Sequence, residues 1–156
     1  EDVNKLIRNA INIIDKSYKD ENIELDIKEN KLEKVFLFPN EFIRVLLNIL
    51  FNSREAFIRT KQDSKRVVHI ETTQDSTYTR IMIKDNAGGI SENDLPKIFD
   101  PYFSTKDEKN GTGLGLYTCQ QIIEQHLGGK IKITSIGSTT EVVIKLLNKN
   151  SDEIEE

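Results

Sequence analysis

Three alternating glycines, in the run Gly111-Thr-Gly-Leu-Gly-Leu116, have the clearest chemical potential in this sequence. They open an apolar segment with helical spacing, so their backbone N–H groups would point at an anion in front of a helix. A phosphate-bearing ligand would fit there. An ordinary loop is the alternative, because closely spaced glycines also mark turns.

Two asparagines, Asn48 and Asn52, lie one helical turn apart in an apolar helix predicted over residues 41–59. A buried amide without a partner costs about 1–3 kcal/mol, so this face must meet something polar. One possibility is hydrogen bonding to neighbouring backbone. The other is coordination of Mg²⁺, which takes hard oxygen ligands and shares them with substrate phosphates.

The run Asp85-Asn-Ala-Gly-Gly-Ile90 follows a predicted strand. A carboxylate held at Asp85 can accept a hydrogen bond from an exocyclic amino group such as that of adenine. Gly88 and Gly89 would let a flat ring approach the backbone. An ordinary Asp-Asn turn is an equally good interpretation of these residues taken alone.

A fourth run, Phe99-Asp-Pro-Tyr-Phe-Ser-Thr-Lys106, combines aromatic anchors with Thr105 and a cation just before the glycines. Lys106 offers a point charge to a phosphate. A packed turn with a solvent-facing lysine is the alternative. His69 and His126 have no sequence neighbours that suggest a metal or a nucleophile, so we interpret both as structural.

The elements that must position these residues follow from hydrophobic periodicity and turn residues. We expect helices layered on one face of a mixed sheet. The predicted helices are an opening helix that ends near Lys19, residues 41–59 with Asn40 as N-cap, a short turn at 95–98, and residues 114–127 ending at Gly128-Gly129. The predicted strands are residues 23–27, 35–38, 67–73, 78–84, 130–134 and 141–147.

Composition describes one soluble domain of 156 residues, of which 37% are hydrophobic and 31% charged. A net charge of −4 gives no reason to expect nucleic-acid binding. The lone Cys119 and the absence of a long apolar run or signal peptide favour a reducing, cytosolic setting. Because the only methionine is Met82, we expect a piece of a longer protein, with a domain at 1–150 and a disordered acidic tail at 151–156.

Four runs, taken in sequence order, resemble the four sequence boxes of one family. The run Asn48-Ile-Leu-Phe-Asn52-Ser-Arg-Glu-Ala56 resembles the N box. The runs that begin at Asp85, Phe99 and Gly111 resemble the first glycine box, the F box and the second glycine box. That family is the catalytic ATP-binding domain of bacterial two-component sensor histidine kinases, in the GHKL superfamily. The resemblance implies the Bergerat fold, a two-layer α/β sandwich. Its mixed sheet of about five strands is covered on one face by three helices.

The resemblance also implies the cofactors ATP and Mg²⁺. Asn52 would ligate the metal with Asn48 beside it, Asp85 would bind the adenine amino group, and Thr140 is a weaker, water-mediated candidate. The catalytic candidates are Asn48, Asn52 and Lys106. The nucleotide-binding candidates are Asp85, Gly89, Ile90, Phe99, Thr105, Gly111, Thr112, Gly113, Leu114, Gly115, Leu116 and Thr140.

Two positions of the sequence bear on nucleotide binding and on the type of reaction. Ala87 replaces the first glycine that the family has in its first glycine box, which puts the backbone geometry there in question. The ATP-hydrolysing relatives and the serine kinases of this fold resemble one another in having a glutamate base at one position. This sequence has Asn48 at that position. An amide cannot accept a proton at neutral pH, so we expect phosphoryl transfer to a histidine, which needs no such base.

The resemblance places that histidine on a dimeric helical hairpin outside this chain, and a response regulator receiver domain takes the phosphoryl group next. We expect a monomeric fragment, a homodimeric parent that can be anchored in the inner membrane, and a cytoplasmic location for this domain. The alternatives are a nucleotide-binding module without transfer activity and a GHKL-type ATPase or serine kinase.

Overall fold

The computed structural model describes residues 1–101, 103 and 115–148, which form helices packed on a five-stranded mixed sheet. The helices are α1 (Val3–Asp20), α2 (Pro39–Thr60) and α3 (Gly115–Gln120), with a 3₁₀ turn at Leu95–Lys97 and a π-helical segment, Gln121–His126, continuing α3. The strands are β1 (Ile23–Lys28), β2 (Arg66–Gln74), β3 (Tyr78–Asp85), β4 (Lys130–Ile136) and β5 (Thr139–Leu147). The expected fold class is confirmed.

The strand order is β1-β2-β3-β5-β4, with β1 parallel to β2 and every other pair antiparallel. Alternate residues of each strand point to opposite faces, and only one face is apolar. In β3, for example, Ile81 and Ile83 are buried whereas Arg80, Met82 and Lys84 are half-exposed. The core therefore lies between this face and the helices.

The buried face of α1 meets α2 and the sheet. The Tyr18 hydroxyl donates a hydrogen bond of 2.6 Å to the Leu50 carbonyl in the middle of α2. Burial raises the pKa of Tyr18 above its ordinary value, so this group stays a donor. The contact fixes the turn of α2 that carries Asn48 and Asn52.

The strand predicted at residues 35–38 is wrong. The short apolar run of these four residues favoured a strand, and in the structure Val35 and Leu37 are buried while Phe36 and Phe38 are exposed. The backbone of this segment instead meets the first residue: Val35 N–H donates to the Glu1 carbonyl at 3.0 Å, and the Glu1 ammonium donates to the Val35 carbonyl at 2.9 Å. An extended segment with alternating burial joins the sheet only when a neighbouring strand completes its hydrogen bonds.

Helix α2 begins at Pro39 rather than Glu41, so Asn40 is not its N-cap. Proline suits the first helical position because its missing N–H would have no helical partner there. Most apolar side chains of the helix are buried, whereas those of Phe51 and Ile58 are exposed. Within the described residues, no helix has the length and apolarity needed to cross a bilayer.

Candidate functional site

A cavity of about 310 Å³ lies between α2, the end of β3, the start of α3 and the β4–β5 hairpin. It brings together candidates from segments far apart in sequence. The expected site residues that line it are Asn48, Asn52, Asp85, Gly89, Ile90, Gly115, Leu116 and Thr140.

Asp85 is the last residue of β3 and is only 9% exposed. The Ser53 hydroxyl donates a hydrogen bond of 2.8 Å to Oδ2, and the Ala87 N–H donates one of 3.1 Å to Oδ1. Burial raises the pKa of the Asp85 carboxyl, and these two hydrogen bonds act in the opposite direction. The carboxylate is therefore held in one orientation at the cavity wall, with lone pairs left for a ligand.

Thr140 lies directly opposite Asp85 in the β3–β5 register. Residues that face each other across antiparallel strands point to the same side of the sheet. Both side chains accordingly line the same wall of the cavity. A hydroxyl thus stands next to the carboxylate.

Asn86, the residue after Asp85, fastens the loop to the start of β2. Its Oδ1 accepts a hydrogen bond of 3.0 Å from Val67 N–H, and its Nδ2 donates one of 2.9 Å to the Lys65 carbonyl. This asparagine has the structural role that an Asp-Asn turn predicts. It also fixes the strand end that carries Asp85.

The glycines of this loop pass close to the β4–β5 turn. Gly89 has φ +75°, and a Cβ there would lie 2.3 Å from the Gly137 carbonyl oxygen. The neighbouring Ile90 N–H donates to Ser135 Oγ at 2.8 Å. Gly89 is thus required by contact with protein backbone, a reason different from the approach of a flat ring that the sequence suggested.

Ala87, which departs from the family pattern, is buried. Among the described residues, the non-glycine positions with positive φ are Asn22 and Lys61, so Ala87 keeps an ordinary backbone conformation. Its methyl group costs no backbone strain. The departure is therefore compatible with the loop geometry.

Asn48 and Asn52 are half-buried on the cavity side of α2. The Cys119 thiol on α3 donates to the Val45 carbonyl of α2 at 3.8 Å, and the Asn48 side chain lies next to the same thiol. Burial raises the pKa of Cys119 to about 12, and the neighbouring Asn48 side chain opposes the shift. Asn48 therefore serves both the cavity and the α2–α3 contact.

Other candidates lie elsewhere. Phe99 and Phe103 both pack against the core, and of these two side chains Phe103 also lines the cavity. His69 pairs with Asp26 at 2.8 Å and His126 with Glu41 at 3.1 Å, and neither histidine lines the cavity. Thr105, Lys106, Gly111, Thr112, Gly113 and Leu114, and the tail at 151–156, lie outside the described residues.

The sequence analysis missed several lining residues. Ser53 follows Asn52 directly and is a small polar residue in an apolar helix, which was the available signal. Arg59 lies two turns beyond Asn52 on the same face. Ile133 and Val142 form a cross-strand pair of the β4–β5 hairpin. Their periodicity predicts inward positions but does not separate a cavity wall from the core.

These residues fit a nucleotide with Mg²⁺. The cavity volume lies within the usual range for small-molecule sites, and the cavity combines an apolar wall with the buried carboxylate of Asp85. That pairing suits a flat base with an exocyclic amino group. The amide oxygens of Asn48 and Asn52 are hard ligands of the kind Mg²⁺ takes.

Comparisons with known proteins agree with this geometry. The family described as histidine kinase-, DNA gyrase B- and HSP90-like ATPase matches residues 39–150. Sensor histidine kinase ZraS of Salmonella typhimurium (strain LT2) is 35% identical over 136 residues, which cover 86% of this chain and 28% of that protein. Sporulation kinase C of Bacillus subtilis (strain 168) is 32% identical over 149 residues, or 93% of this chain and 30% of that protein.

The chain thus spans less than a third of the length of these two curated relatives. Among solved structures, the nucleotide-free catalytic domain of histidine kinase ThkA aligns with a TM-score of 0.82 at 26% identity, over 95% of both chains. ThkA in complex with response regulator TrrA aligns at a TM-score of 0.79 and 23% identity, over 96% of this chain and 41% of that one. The motifs, the fold and these matches agree: the chain belongs to the histidine kinase-, DNA gyrase B- and HSP90-like ATPase family, as a sensor histidine kinase catalytic domain.

Proposed function

We propose that this chain binds Mg·ATP in the cavity beside Asp85, and that the whole protein transfers the γ-phosphoryl group to a histidine on its own dimerisation domain. The observation that carries the proposal is the buried Asp85 carboxylate, fixed by Ser53 and Ala87 in a cavity that Asn48 and Asn52 also line.

The base would lie against the apolar wall of Ile90, Ile133 and Val142, with its amino group donating to Asp85. Thr140 is placed to act beside Asp85, directly or through water. The triphosphate would extend toward the start of α3 and the glycine run. The amides of Gly111, Gly113, Leu114 and Gly115 would hold the phosphates there, with Lys106 as a further cation.

Mg²⁺, when bound, neutralises triphosphate charge as phosphoryl transfer proceeds. Asn52 would be its protein ligand, and Asn48 would support the same region. Both side chains are neutral, so the protein adds no carboxylate repulsion to the phosphates from these positions. What they contribute is the position of the metal relative to the nucleotide.

The reaction class follows from Asn48. An amide at this place cannot take a proton from water or a hydroxyl, so general-base activation of such nucleophiles is disfavoured. A neutral imidazole attacks with a ring-nitrogen lone pair, forming an N–P bond while the bond from the γ-phosphorus to the ADP oxygen breaks. This difference favours histidine phosphorylation over an ATPase or serine kinase.

Two partners follow from the proposal. The dimerisation domain must bring its histidine to the cavity, and a response regulator receiver domain would take the phosphoryl group next. Support comes from the names of the relatives and from the solved complex of ThkA with TrrA. We expect the isolated chain to be monomeric, the whole protein to be a homodimer, and this domain to lie in the cytoplasm.

A nucleotide-binding module without transfer activity is the other candidate. Its sequence support was Ala87 and the short insert at residues 107–110. The ordinary backbone at Ala87 weakens the first support, and the insert lies outside the described residues. Labelled ATP distinguishes the possibilities once the chain is joined to its dimerisation domain. Acid-labile phosphate on the protein supports the proposal, whereas acid-stable phosphoserine, steady phosphate release by the chain alone, or no transfer contradicts it.

Binding is tested by titration calorimetry of ATP into the 156-residue chain and its Asp85→Asn variant. Loss of a hydrogen bond to a charged group costs about 1.5–3 kcal/mol, so affinity should fall at least about tenfold. Asp63→Asn changes an exposed carboxylate outside the cavity and should bind ATP as the native chain does. Unchanged affinity in Asp85→Asn would remove the base-binding role.

A further inference from the structure

The Ser53 hydroxyl lies at the cavity but has none of the nucleotide-binding or metal-binding roles proposed above. Ser53 is 4% exposed, lies on α2 directly after Asn52, and donates its hydrogen bond to Oδ2 of Asp85 rather than to the helix backbone. A buried serine can satisfy itself on the carbonyl one turn back in its own helix. Here the donor is directed across to β3 instead.

The protonation state of Asp85 decides which bases it can accept. An ionised carboxylate only accepts hydrogen bonds, whereas a protonated carboxyl also donates one. A 6-aminopurine presents an N–H donor to this group, and a 6-oxopurine presents a carbonyl acceptor in the same place. A carboxylate facing that carbonyl leaves two acceptors unpaired, so a site of this kind rejects the wrong base strongly.

Burial works against this selectivity, because it favours the protonated form of Asp85. Two donors oppose burial: the Ala87 N–H, which belongs to the loop backbone, and the Ser53 hydroxyl. Of these two donors, only the Ser53 hydroxyl can be removed by changing a side chain.

Within the part of the chain that the structure describes, few other charges surround the Asp85 carboxyl. Tyr18 on α1 is close enough for the Asp85 charge to help raise the pKa of that tyrosine. Glu55 and Arg59 line the cavity from α2, and the β4–β5 hairpin contributes the uncharged side chains of Thr140, Ile133 and Val142. Ser53 is therefore the neutral side-chain donor in direct contact with the carboxylate.

We propose that Ser53 is a specificity-determining positioning residue, which selects a 6-aminopurine over a 6-oxopurine nucleotide by holding Asp85 as a fixed acceptor. This inference depends on the proposed function, because it assumes that Asp85 meets the base. Ser53 does not touch the reacting phosphate and acts through Asp85.

The test compares Ser53→Ala with the native chain by titration with ATP and with ITP, a 6-oxopurine nucleotide, between pH 5 and pH 9. We expect the ratio of ATP to ITP affinity to fall about tenfold or more in the variant. The pH below which ATP affinity is lost should also move upward, because the carboxyl loses a donor that favours its ionised form. Alanine is a good helix former, and urea unfolding confirms that the variant is folded.

Ser91→Ala is the matched control, since the Ser91 hydroxyl accepts a hydrogen bond from Asp94 N–H on the surface. It should change neither the ratio nor the pH profile. If Ser53→Ala keeps the native ratio and pH profile, or weakens both nucleotides equally, the selectivity role is refuted even though Asp85→Asn loses ATP. If Asp85→Asn itself binds ATP normally, the proposed function fails and this inference with it.

Discussion

At the scale of single residues, Asp85 combines the proposed base-binding position with an environment that disfavours its charge. Its carboxyl is nearly buried and its pKa is raised by burial, against the hydrogen bonds from Ser53 and Ala87. A group that binds its proton more tightly in the folded chain than in the unfolded chain lowers stability as pH rises through that interval. The nucleotide-free domain therefore loses stability by keeping this residue ionised.

Asp85→Asn should consequently stabilise the nucleotide-free chain at pH 8. Asparagine is uncharged, its Oδ1 can accept from Ala87 N–H, and its Nδ2 can donate to Ser53 Oγ. The gain should shrink as pH falls toward about 4, the ordinary range of an aspartate, because the native carboxyl is then protonated as well. Urea unfolding at several pH values measures it.

The exposed Asp63→Asn should show no such pH-dependent gain. A native chain that is as stable as Asp85→Asn at every pH would contradict the claim that burial raises the pKa of the Asp85 carboxyl.

Residue types and spacing predicted much of the cavity wall but not the contacts that hold its side chains in place. Asn48, Asn52 and Asp85 could be chosen because polar groups in apolar elements need partners. Ser53 gives the same signal, but its partner could not be predicted, because the hydrogen bond joins α2 and β3 across 32 residues of sequence. Phe99 and Phe103 carry the same side chain and both pack against the core, and only the fold shows that Phe103 also lines the cavity.

At the scale of elements, the end of the third helix is held against the sheet by hydrogen bonds and a close backbone contact. The helix predicted over residues 114–127 continues as a π-helical segment after Gln120, and Leu127 N–H donates to the Ile122 carbonyl at 3.0 Å. Gly129 N–H then donates to the Ile123 carbonyl at 2.8 Å. Six residues are too few for hydrophobic periodicity to separate an α-helix from a π-helix.

The two glycines of this junction should differ in their tolerance of alanine. A Cβ on Gly129 would lie 2.4 Å from the Lys145 carbonyl oxygen of β5, whereas one on Gly128 meets nothing within 4 Å. Gly128 has φ +66°, so alanine there costs about 1 kcal/mol of backbone strain. Gly129→Ala forces helix and strand apart and should cost more, about 2 kcal/mol or above.

Urea unfolding of the two single variants measures the comparison. An equal or smaller loss for Gly129→Ala would mean that the helix end does not press on β5.

At the scale of the whole molecule, a polar cluster of Asn4, Asn30 and Thr72 joins α1, the segment after β1, and β2. Thr72 Oγ1 donates to Asn4 Oδ1 at 3.0 Å and accepts from Asn30 N–H at 3.3 Å. The Asn4 amide donates to the Asn30 carbonyl at 2.8 Å, and the Asn30 amide to the Thr72 carbonyl at 2.6 Å. The cluster joins the three elements and provides partners for the Asn30 N–H, the Asn30 carbonyl and the Thr72 carbonyl.

Thr72→Val keeps the shape of the side chain and removes its hydroxyl. It should lower the free energy of unfolding by about 1–3 kcal/mol, because Asn4 and Asn30 each lose a partner. Thr73→Val, on the exposed face of the same strand, should stay within about 0.5 kcal/mol of the native chain. Equal effects of the two changes in urea unfolding would show that the cluster adds nothing to stability.

The arrangement of the whole sheet was accessible only through the family resemblance. Periodicity located β1, β2, β3, β4 and β5, but nothing in their residues places β5 between β3 and β4. The same limit explains the segment at residues 35–38, which has the apolar run of a strand but whose Val35 backbone pairs with Glu1 rather than with a strand of the described sheet. Pairing depends on the rest of the molecule, whereas periodicity is local.

The central claim is that one molecule of Mg·ATP contacts Asp85 and Asn52 in the same cavity. A crystal structure of the chain with a non-hydrolysable ATP analogue and Mg²⁺ tests it most directly. We predict the adenine amino nitrogen at about 3 Å from an Asp85 carboxylate oxygen, and the Asn52 amide oxygen on the metal. A nucleotide bound elsewhere, or bound here with Asp85 turned away from the base, would contradict the account.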